Sequence, residues 1–258
     1  MKYKVLPIAL LGFFLQANAQ NFRDVIRGDN GMSKKLVSLA ADKQVSFNGQ
    51  NPDAILDAGA GSKLVLKNKF TDNIGFTHYR YFQMYKGFEI QSSSFVLHTK
   101  DGKLVSMSGE AVVAFSTTNR YADKAVVPAQ TAVANALNRI NAKLYAWQDA
   151  GMEQSLKMQT GDKNATYKPK AQLVWFNAGD EINPEELRLC YRVNVYSRQP
   201  LSRADYFIDA QTGAYVGKID RLCFTDATGT AATGWSGNQT IHSEFTGTQY
   251  RLRDMTKG

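Results

Sequence analysis

Hydrophobic and polar residues alternate along much of the first half of the chain, and this period predicts a series of β-strands. The alternating runs cover residues 62–70, 75–85, 88–99 and 103–115. Asp101 and Gly102 join the last two runs, and an Asp-Gly pair in that position is typical of a tight hairpin. We therefore expect an antiparallel sheet in this half of the chain.

Helical patterns precede this sheet. The apolar residues of segment 36–40 lie among lysines and an aspartate and favour one helical stretch. Asn51 and Pro52 then suit the cap and first turn of a short helix over residues 53–58, which we expect to end at Gly59. The first half is thus predicted to contain helix followed by antiparallel sheet.

The second half shows the same plan, without a measurable sequence repeat, after a polar connector at residues 116–124. Pro128 opens a predicted helix over residues 128–141, whose apolar side chains fall on one face. Short runs of strand character follow at residues 143–147, 171–177, 187–197, 204–209 and 214–220. Helix and antiparallel strands in each half predict an α+β fold.

Residues 1–19 have the features of a secretory signal peptide. Lys2 and Lys4 precede an apolar run over residues 5–14, and Ala-Asn-Ala at 17–19 forms a small-residue cleavage site. A membrane anchor needs about 20 apolar residues, roughly twice the length of this run. We therefore expect a secreted, extracellular protein that passes the periplasm at most transiently and is not held in a membrane after signal cleavage.

The charge of the chain is modestly basic. The formal net charge is +8, and removal of Lys2 and Lys4 lowers it to +6. The basic residues are scattered along the chain and form no stripe or cluster. This distribution argues against nucleic acid as a partner.

Cys190 and Cys223 are the cysteines of the chain, and both lie in or next to predicted strands. An exported protein meets an oxidising compartment, which permits a disulfide between them. Two buried free thiols are the alternative, and the sequence leaves both open.

No catalytic motif for zinc or nucleophilic chemistry is visible. A zinc endopeptidase needs His-Glu-x-x-His on a helix, because this spacing places both imidazoles on one face. The histidines are His78, His98 and His242, and none begins such a motif. The chain also has no Gly-x-Ser-x-Gly elbow. We expect ordinary strand positions for the histidines and no metal site.

Residues 75–109 resemble the fungalysin/thermolysin propeptide motif, in which Gly-x-Thr-His-x-Arg, Gln, Tyr-x-Gly and Asp-Gly-x-Val-x-Ser-x-x-Gly recur in this order. The matching positions here are Gly75, Thr77, His78, Arg80, Gln83, Tyr85, Gly87, Asp101, Gly102, Val105, Ser106 and Gly109. Residues 128–220 resemble a PepSY domain, chiefly through 191–193 and 206–213. Residues 226–258 resemble the first β-hairpins of a thermolysin-like catalytic domain.

The resemblance implies a specific domain plan. Residues 20–116 would form the propeptide domain and residues 125–222 the PepSY-type domain, each a cystatin-like antiparallel sheet packed on a helix. Residues 226–258 would begin a catalytic domain, as a truncated β-hairpin segment. The zinc ligands and the calcium sites of such an enzyme would lie beyond Gly258, so we expect no peptidase activity, no cofactor and no metal for this chain alone.

The resemblance also implies a function. Such a pro-region assists the folding of a secreted thermolysin-like zinc metalloendopeptidase and blocks its cleft until the enzyme cuts it off. The partner is the cognate catalytic domain, normally on the same chain. Two alternatives remain, namely a free-standing secreted inhibitor or binding module of two cystatin-like domains, and the incomplete N-terminal part of an active metalloprotease precursor.

The same resemblance places the processing site near the end of the second domain. In such zymogens this stretch lies along the active-site cleft, and the matching segment here is 218–225. Its apolar side chains suit a thermolysin-like pocket, which places the cut between Arg221 and Ala227. The cleft-binding and processing region comprises Arg221, Leu222, Cys223, Phe224, Thr225 and Asp226.

Overall fold

The computed structural model describes residues 27–56, 58–115, 122–222, 226–234, 237–245 and 250–251. The predicted signal peptide at 1–19 and residues 116–121 of the predicted connector lie outside these ranges. In the described part, no helix has the length and apolar character that crossing a membrane requires.

The described residues of the first half form five strands. They are β1 (Leu36–Ser38), β2 (Ser62–Thr71), β3 (Phe76–Tyr85), β4 (Phe88–Lys100) and β5 (Lys103–Gly109). Short 3-10 helices lie at Ala41–Lys43 and Pro52–Ala54. All four strands predicted from the alternating pattern are confirmed, although β5 ends earlier than residue 115.

In the second half, the residues that the structure describes form two α-helices and further strands. The helices are α1 (Ala129–Ile140) and α2 (Ala150–Thr160), and a 3-10 helix lies at Ala146–Gln148. The strands are β6 (Leu144–Tyr145), β7 (Ala171–Phe176), β8 (Arg188–Gln199), β9 (Leu201–Asp209) and β10 (Tyr215–Asp220). Three further strands follow, β11 (Asp226–Thr233), β12 (Gly237–Phe245) and β13 (Tyr250–Arg251).

Strands β1 to β10 form one mixed sheet of ten strands. Its main path runs in the order β1-β5-β4-β7-β8-β9-β10, while β2 pairs with β3, β3 with β4, and β6 with β8. The β4–β7 pair is parallel and aligns Glu89 with Val174 and Ile90 with Trp175. Strands β11, β12 and β13 form a three-stranded antiparallel sheet. The predicted α+β class is confirmed.

The chain divides into two compact units that are each assembled from separated segments. The first unit contains residues 1–135, 171–192 and 207–217, and the second contains residues 136–170, 193–206 and 218–258. The cystatin-like domains at 20–116 and 125–222 stay predictions.

The core of the first unit follows directly from the alternation in its strands. Successive side chains of a strand point to opposite faces, so every second residue of β3 is buried, from Tyr79 through Tyr81 to Tyr85. Phe95 and Leu97 of β4 are completely buried, and the Tyr81 and Phe95 rings stack with centroids 5.7 Å apart. Aromatic pairs of this kind add about 0.5–1.5 kcal/mol beyond their burial.

The helix expected over segment 36–40 is wrong. Residues 36–38 form β1, which pairs with β5 and aligns Val37 with Met107. Val37 is buried whereas Leu36 is 69% exposed, which is the alternation of a strand. The open edge of β5 offers backbone hydrogen bonds to this segment, and tertiary context of this kind overrides a weak helical pattern.

The short helix expected over residues 53–58 is wrong in extent. It is a 3-10 helix over Pro52–Ala54, stabilised by hydrogen bonds from Ile55 N–H and Leu56 N–H to the Pro52 carbonyl. The Asp53 carboxylate accepts a hydrogen bond from Leu64 N–H of β2 at 3.2 Å, which ties this turn to the sheet.

Helix α2 was not predicted from the sequence. Asp149 caps its N-terminus by accepting hydrogen bonds from the Gly151 and Met152 N–H groups, and Gly161 ends it at φ 68°. No residue of α2 is buried, so the apolar periodicity that reveals most helices is missing. The sequence signals for this helix were its capping residues, Asp149 and Gly161, which are separated by the eleven residues of the helix.

Candidate functional site

The buried Gln83 is the centre of the segment that resembles a propeptide motif. A register shift between Phe82 and Met84 interrupts the β3–β4 pairing at this residue. The Gln83 amide nitrogen donates to Ser62 Oγ at 2.8 Å and to the Val112 carbonyl at 2.7 Å. Its amide oxygen accepts from Ser93 Oγ at 3.0 Å and from Val112 N–H at 2.9 Å.

Both amide hydrogens and both lone pairs of Gln83 are therefore used. The side chain is completely buried, and a buried polar group is tolerated when its hydrogen bonds are made. Gln83 thereby joins β3 to β2, to β4 and to the segment after β5. Ser93 and Ser62 were missed by the sequence analysis, because the partners of Gln83 are distant along the chain.

Gly87 and Gly102 complete two tight hairpin turns. Lys86 and Gly87 have φ of 45° and 87° between β3 and β4, and Asp101 and Gly102 have φ of 51° and 73° between β4 and β5. Positive φ at both central residues matches the right-handed twist of the flanking strands. The hairpin predicted at Asp101-Gly102 is confirmed.

Tyr85 connects the first hairpin to two other aromatic residues. Its ring stacks on Phe115 with centroids 3.8 Å apart and lies 5.5 Å from the ring of Trp175. The Tyr85 carbonyl accepts a hydrogen bond from the Trp175 indole N–H at 2.7 Å. Trp175 is completely buried, so its polar N–H needs this partner.

Arg80 is exposed on β3, between the buried Tyr79 and Tyr81. It pairs across the sheet with Asn68 of β2 and Val96 of β4. Its guanidinium is thus presented on the surface of the sheet, whereas Gln83 and Tyr85 organise its interior.

A chain of polar side chains crosses β3, β4 and β5 near Arg80. His78 Nε2 lies 3.1 Å from Asp72 Oδ2, and His78 Nδ1 lies 2.7 Å from His98 Nδ1. His98 Nε2 lies 2.9 Å from Ser108 Oγ. The Phe70 ring stacks on His78 at 4.6 Å. We refer to Asp72, His78, His98 and Ser108 as the histidine relay.

The environment of the relay shifts two pKa values. Burial lowers the pKa of His98, and the neighbouring His78 and Arg80 lower it further. For Asp72, burial acts to raise the pKa, but hydrogen bonds from Phe76 N–H, His78 and Ile74 N–H together bring it below its usual value. The relay therefore favours neutral His98 and ionised Asp72.

Zinc and calcium have no fitting ligand set in the part of the chain that the structure describes. No group of three or more His, Cys, Asp or Glu side chains there could hold a metal ion. The Nδ1 atoms of His78 and His98 face each other within hydrogen-bond distance, which occupies both of them.

The predicted processing region begins at Arg221, directly after β10. The Arg221 guanidinium binds the buried carboxylate of Asp205 on β9, with Nε at 2.7 Å from Oδ2 and Nη2 also in contact. Leu222 is half-buried. Asp226 opens β11, where it pairs with Glu244. Outside the described residues lie Cys223, Phe224 and Thr225.

Cys190 is completely buried in β8. Mainly this burial, and to a smaller extent the negative charge of Asp209, raises the pKa of its thiol to about 12. Its proposed disulfide partner Cys223 lies outside the described residues, so the pairing stays a prediction. The nearby Asp209 accepts hydrogen bonds from the N–H groups of Gln211 and Thr212, which shapes the turn before β10. The hairpin turn predicted at residues 210–213 is confirmed.

The segment that contains Gln83, Tyr85 and the two hairpins matches the sequence model of a known protein family. Residues 62–111 match the Fungalysin/Thermolysin Propeptide Motif. This chain contains a propeptide motif. The match confirms the resemblance inferred over residues 75–109 and extends it to all of β2. The motif residues Gln83, Tyr85, Gly87 and Gly102 thus maintain the fold of the propeptide motif.

Several curated proteases are similar to the chain over most of its length. Bacillolysin from Bacillus subtilis (strain 168) is 23% identical over 248 residues, covering 95% of this chain and 43% of the relative. Bacillolysin from Bacillus amyloliquefaciens is 24% identical and covers 98% of this chain and 46% of the relative. Thermolysin from Bacillus caldolyticus is 28% identical and covers 79% of this chain and 36% of the relative.

The chain thus spans less than half the length of these curated relatives. The similarity supports a pro-region of a thermolysin-like protease. Among solved structures, the Bacillus megaterium YpeB C-terminal domain covers 81% of this chain and 96% of its own chain, at 14% identity and a TM-score of 0.34. The resemblance of residues 128–220 to a PepSY domain stays a prediction.

Proposed function

We propose that the chain is the pro-region of a secreted thermolysin-like zinc metalloendopeptidase. It acts as an intramolecular chaperone and as a cleft-blocking inhibitor until autoprocessing. The observation that carries the proposal is the propeptide motif at residues 62–111, within a chain that resembles bacillolysin and thermolysin over 79–98% of its length.

The fold of the motif supports the chaperone role. A large protease with many long-range contacts folds slowly, because distant segments must meet before they stabilise each other. A pro-region that folds first can bind the native-like protease and lower this barrier. Buried Gln83 and the hairpins at Gly87 and Gly102 make β2 to β5 a sheet built largely from local pairings, which suits early folding.

The inhibitor role follows from the same binding. A pro-region surface that binds the folded protease covers the part of the protease that it contacts. The same binding stabilises the native state of the protease by mass action. The partner is the cognate catalytic domain, normally in cis, and zinc and calcium would be held by that domain. We propose that residues 221–226 lie in its cleft and include the processing bond, and that this chain alone has no peptidase activity.

The proposed localisation is extracellular. Residues 1–19 would direct export and be removed, and residues 125–222 would act as the PepSY-type part of the pro-region. No membrane attachment and no nucleic-acid partner are part of the proposal.

Titration of a thermolysin-like protease with residues 20–258 of this chain tests the inhibitor role. We expect inhibition at near-stoichiometric concentrations that decays as the chain is digested. A serine protease of unrelated fold is the control and should not be inhibited under the same conditions. Full activity of the thermolysin-like protease at large excess of chain would remove the inhibitor role from the proposal.

Refolding tests the chaperone role independently. A thermolysin-like protease is unfolded in denaturant and diluted with and without the chain, and the recovered activity is measured after digestion of the chain. We expect a larger recovered fraction with the chain present. Inhibition without any gain in refolding would favour a free-standing inhibitor over a folding-assisting pro-region.

A further inference from the structure

Asp205 and Arg221 form an ion pair at the point where the chain leaves β10. The side chain of Asp205 is 7% exposed and that of Arg221 is 42% exposed. Two guanidinium nitrogens of Arg221, Nε and Nη2, contact the same carboxylate oxygen, Oδ2, and Nε does so at 2.7 Å. Contacts through two nitrogens fix the orientation of the guanidinium as well as its distance.

The other carboxylate oxygen of Asp205 is also occupied. Oδ1 accepts a hydrogen bond from the Asn194 side-chain amide at 2.6 Å. Asn194 Oδ1 in turn accepts from Arg203 Nε at 3.3 Å, and the Arg203 guanidinium lies over the rings of Tyr167 and Tyr196, 5.6 and 5.3 Å from their centroids. The carboxylate that receives Arg221 is therefore held in place from β8 and β9.

The backbone is tied at the same residue. Arg221 N–H donates to the Arg203 carbonyl at 2.7 Å, one residue beyond the end of β10. Both the main chain and the side chain of Arg221 are therefore attached to β9. The preceding ion pair, between Lys218 and Asp220, joins two residues of β10.

We propose that the Asp205–Arg221 pair is a clamp that holds the chain at Arg221 and so sets how the bonds after it are presented to a protease. Asp205, buried and braced by Asn194, is the positioning residue, and Arg221 is the residue it positions. The proposal rests on the proposed function, because it names the contact that regulates the proposed processing region.

The physical basis is preorganisation. A segment that leaves a folded sheet from a fixed point loses less conformational freedom when it binds a cleft, so it binds more tightly. The same attachment limits local opening, which a protease needs before it can cleave a bond next to folded structure. The clamp should thus strengthen inhibition and slow cleavage after Arg221.

Two variants remove the charge pair in the full chain. Asp205→Asn keeps the shape and a hydrogen-bond acceptor but removes the charge, and Arg221→Gln removes the cation at a half-exposed position. Arg221→Lys retains the charge without the fork of nitrogens and should be intermediate. Arg198→Gln is the matched control, because the Arg198 side chain is exposed to a similar extent (40%) and pairs with Asp149, outside residues 218–225.

The first measurement is cleavage by trace amounts of a broad-specificity serine protease, with each product located by mass spectrometry. We expect cleavage between residues 221 and 227 to accelerate about fivefold or more in Asp205→Asn and Arg221→Gln, while cleavage elsewhere keeps its rate. Equal rates at 221–227 in wild type and in both folded variants would overturn the clamp, and a general acceleration along the chain would mean a structural role only.

The second measurement is the inhibition constant against a thermolysin-like protease. We expect it to rise about tenfold in Asp205→Asn and Arg221→Gln and to stay unchanged in Arg198→Gln. If the wild-type chain does not inhibit at all while the first measurement shows the acceleration, the proposed inhibitor role fails and the clamp stands. Inhibition by wild type that both clamp variants retain unchanged would remove the clamp from the inhibitory mechanism.

Discussion

The Nδ1 atoms of His78 and His98 lie 2.7 Å apart across the β3–β4 pair, with Asp72 on one side and Ser108 on the other. An ionised Asp72 needs a proton on His78 Nε2. His78 Nδ1 can then accept from His98 Nδ1–H, and His98 Nε2 can accept from the Ser108 hydroxyl. Every polar atom of the relay is satisfied with both imidazoles neutral.

Protonation of His98 at Nε2 would turn this acceptor into a donor and would add a positive charge to a partly buried ring near Arg80. The relay therefore disfavours the charged form of His98.

Stability should consequently fall in mild acid. The pKa of His98 in the folded protein is below its usual 6.5, because burial and then His78 and Arg80 disfavour the charged form. The unfolded chain binds more protons between these two pKa values, so the contribution of His98 is complete above pH 6.5 and declines as the pH falls through the folded pKa. Urea unfolding from pH 8 to 5 measures this decline.

His98→Gln is the matched variant for that series, because a glutamine can still bridge His78 and Ser108 but does not titrate. Its stability should depend less on pH over the same interval. Curves of equal slope for wild type and His98→Gln would contradict the assignment to His98.

Asp72 should make the stability of the protein depend on pH in a second, more acidic range. Hydrogen bonds from Phe76 N–H, His78 and Ile74 N–H outweigh burial and hold its pKa below 3.8. The resulting stability is present above pH 3.8 and is lost as the pH falls through the folded pKa. In Asp72→Asn the unfolding free energy should depend less on pH below pH 4. The same pH dependence as in wild type would contradict the role of Asp72.

Gln83→Ala should strongly destabilise the propeptide motif. The change leaves the Val112 N–H and carbonyl without their side-chain partner in a buried site and leaves the Ser93 hydroxyl with the Glu110 carbonyl alone, at a cost of about 3 kcal/mol or more in unfolding free energy. Denaturant unfolding measures it. Gln172→Ala removes a hydrogen bond to Arg192 at an exposed position and should cost only about 0.5 kcal/mol. Similar losses in both variants would contradict the role assigned to Gln83.

Two glycines of the motif should respond differently to alanine. At Gly87 a Cβ meets no atom within 4 Å, so the cost comes from φ of 87° alone and should be about 1 kcal/mol. At Gly109 a Cβ would lie 2.3 Å from the Ser94 carbonyl oxygen and 2.6 Å from Phe95 Cα. We expect Gly109→Ala to be clearly more destabilising in the same unfolding assay, and the reverse order would contradict the packing at Gly109.

Cys190 offers a test of the two cysteine alternatives. As a buried thiol with a pKa raised to about 12, it should react very slowly with an alkylating reagent at pH 8 in the native protein and quickly in urea. If Cys190 is joined to Cys223, alkylation in urea requires prior reduction, and mass spectrometry distinguishes the two outcomes.

Alternation in residues 62–109 was sufficient to predict β2 to β5, because β3 to β5 each bury one face and all four strands pair with their neighbours along the chain. The Asp-Gly pair at 101–102 likewise predicted its hairpin, since that turn demands residues that tolerate positive φ. The motif residues in this segment also carried the family resemblance.

Other elements depended on partners that are distant in sequence. Segment 36–38 is a strand because β5 offers it an edge, and the parallel pairing of β4 with β7 joins residues 89 and 174. Helix α2 buries no side chain and so has no apolar period that a sequence could show.

The sequence by itself therefore determined the local elements of the motif, the α+β class and the residue types of the propeptide resemblance. The tertiary structure alone decided that Gln83 meets Val112, that His78 meets His98, and that Asp205 receives Arg221. Hydrophobic alternation records which face of a strand is buried. It does not indicate which polar groups will face each other once distant strands have paired, because their positions depend on the register of the whole sheet.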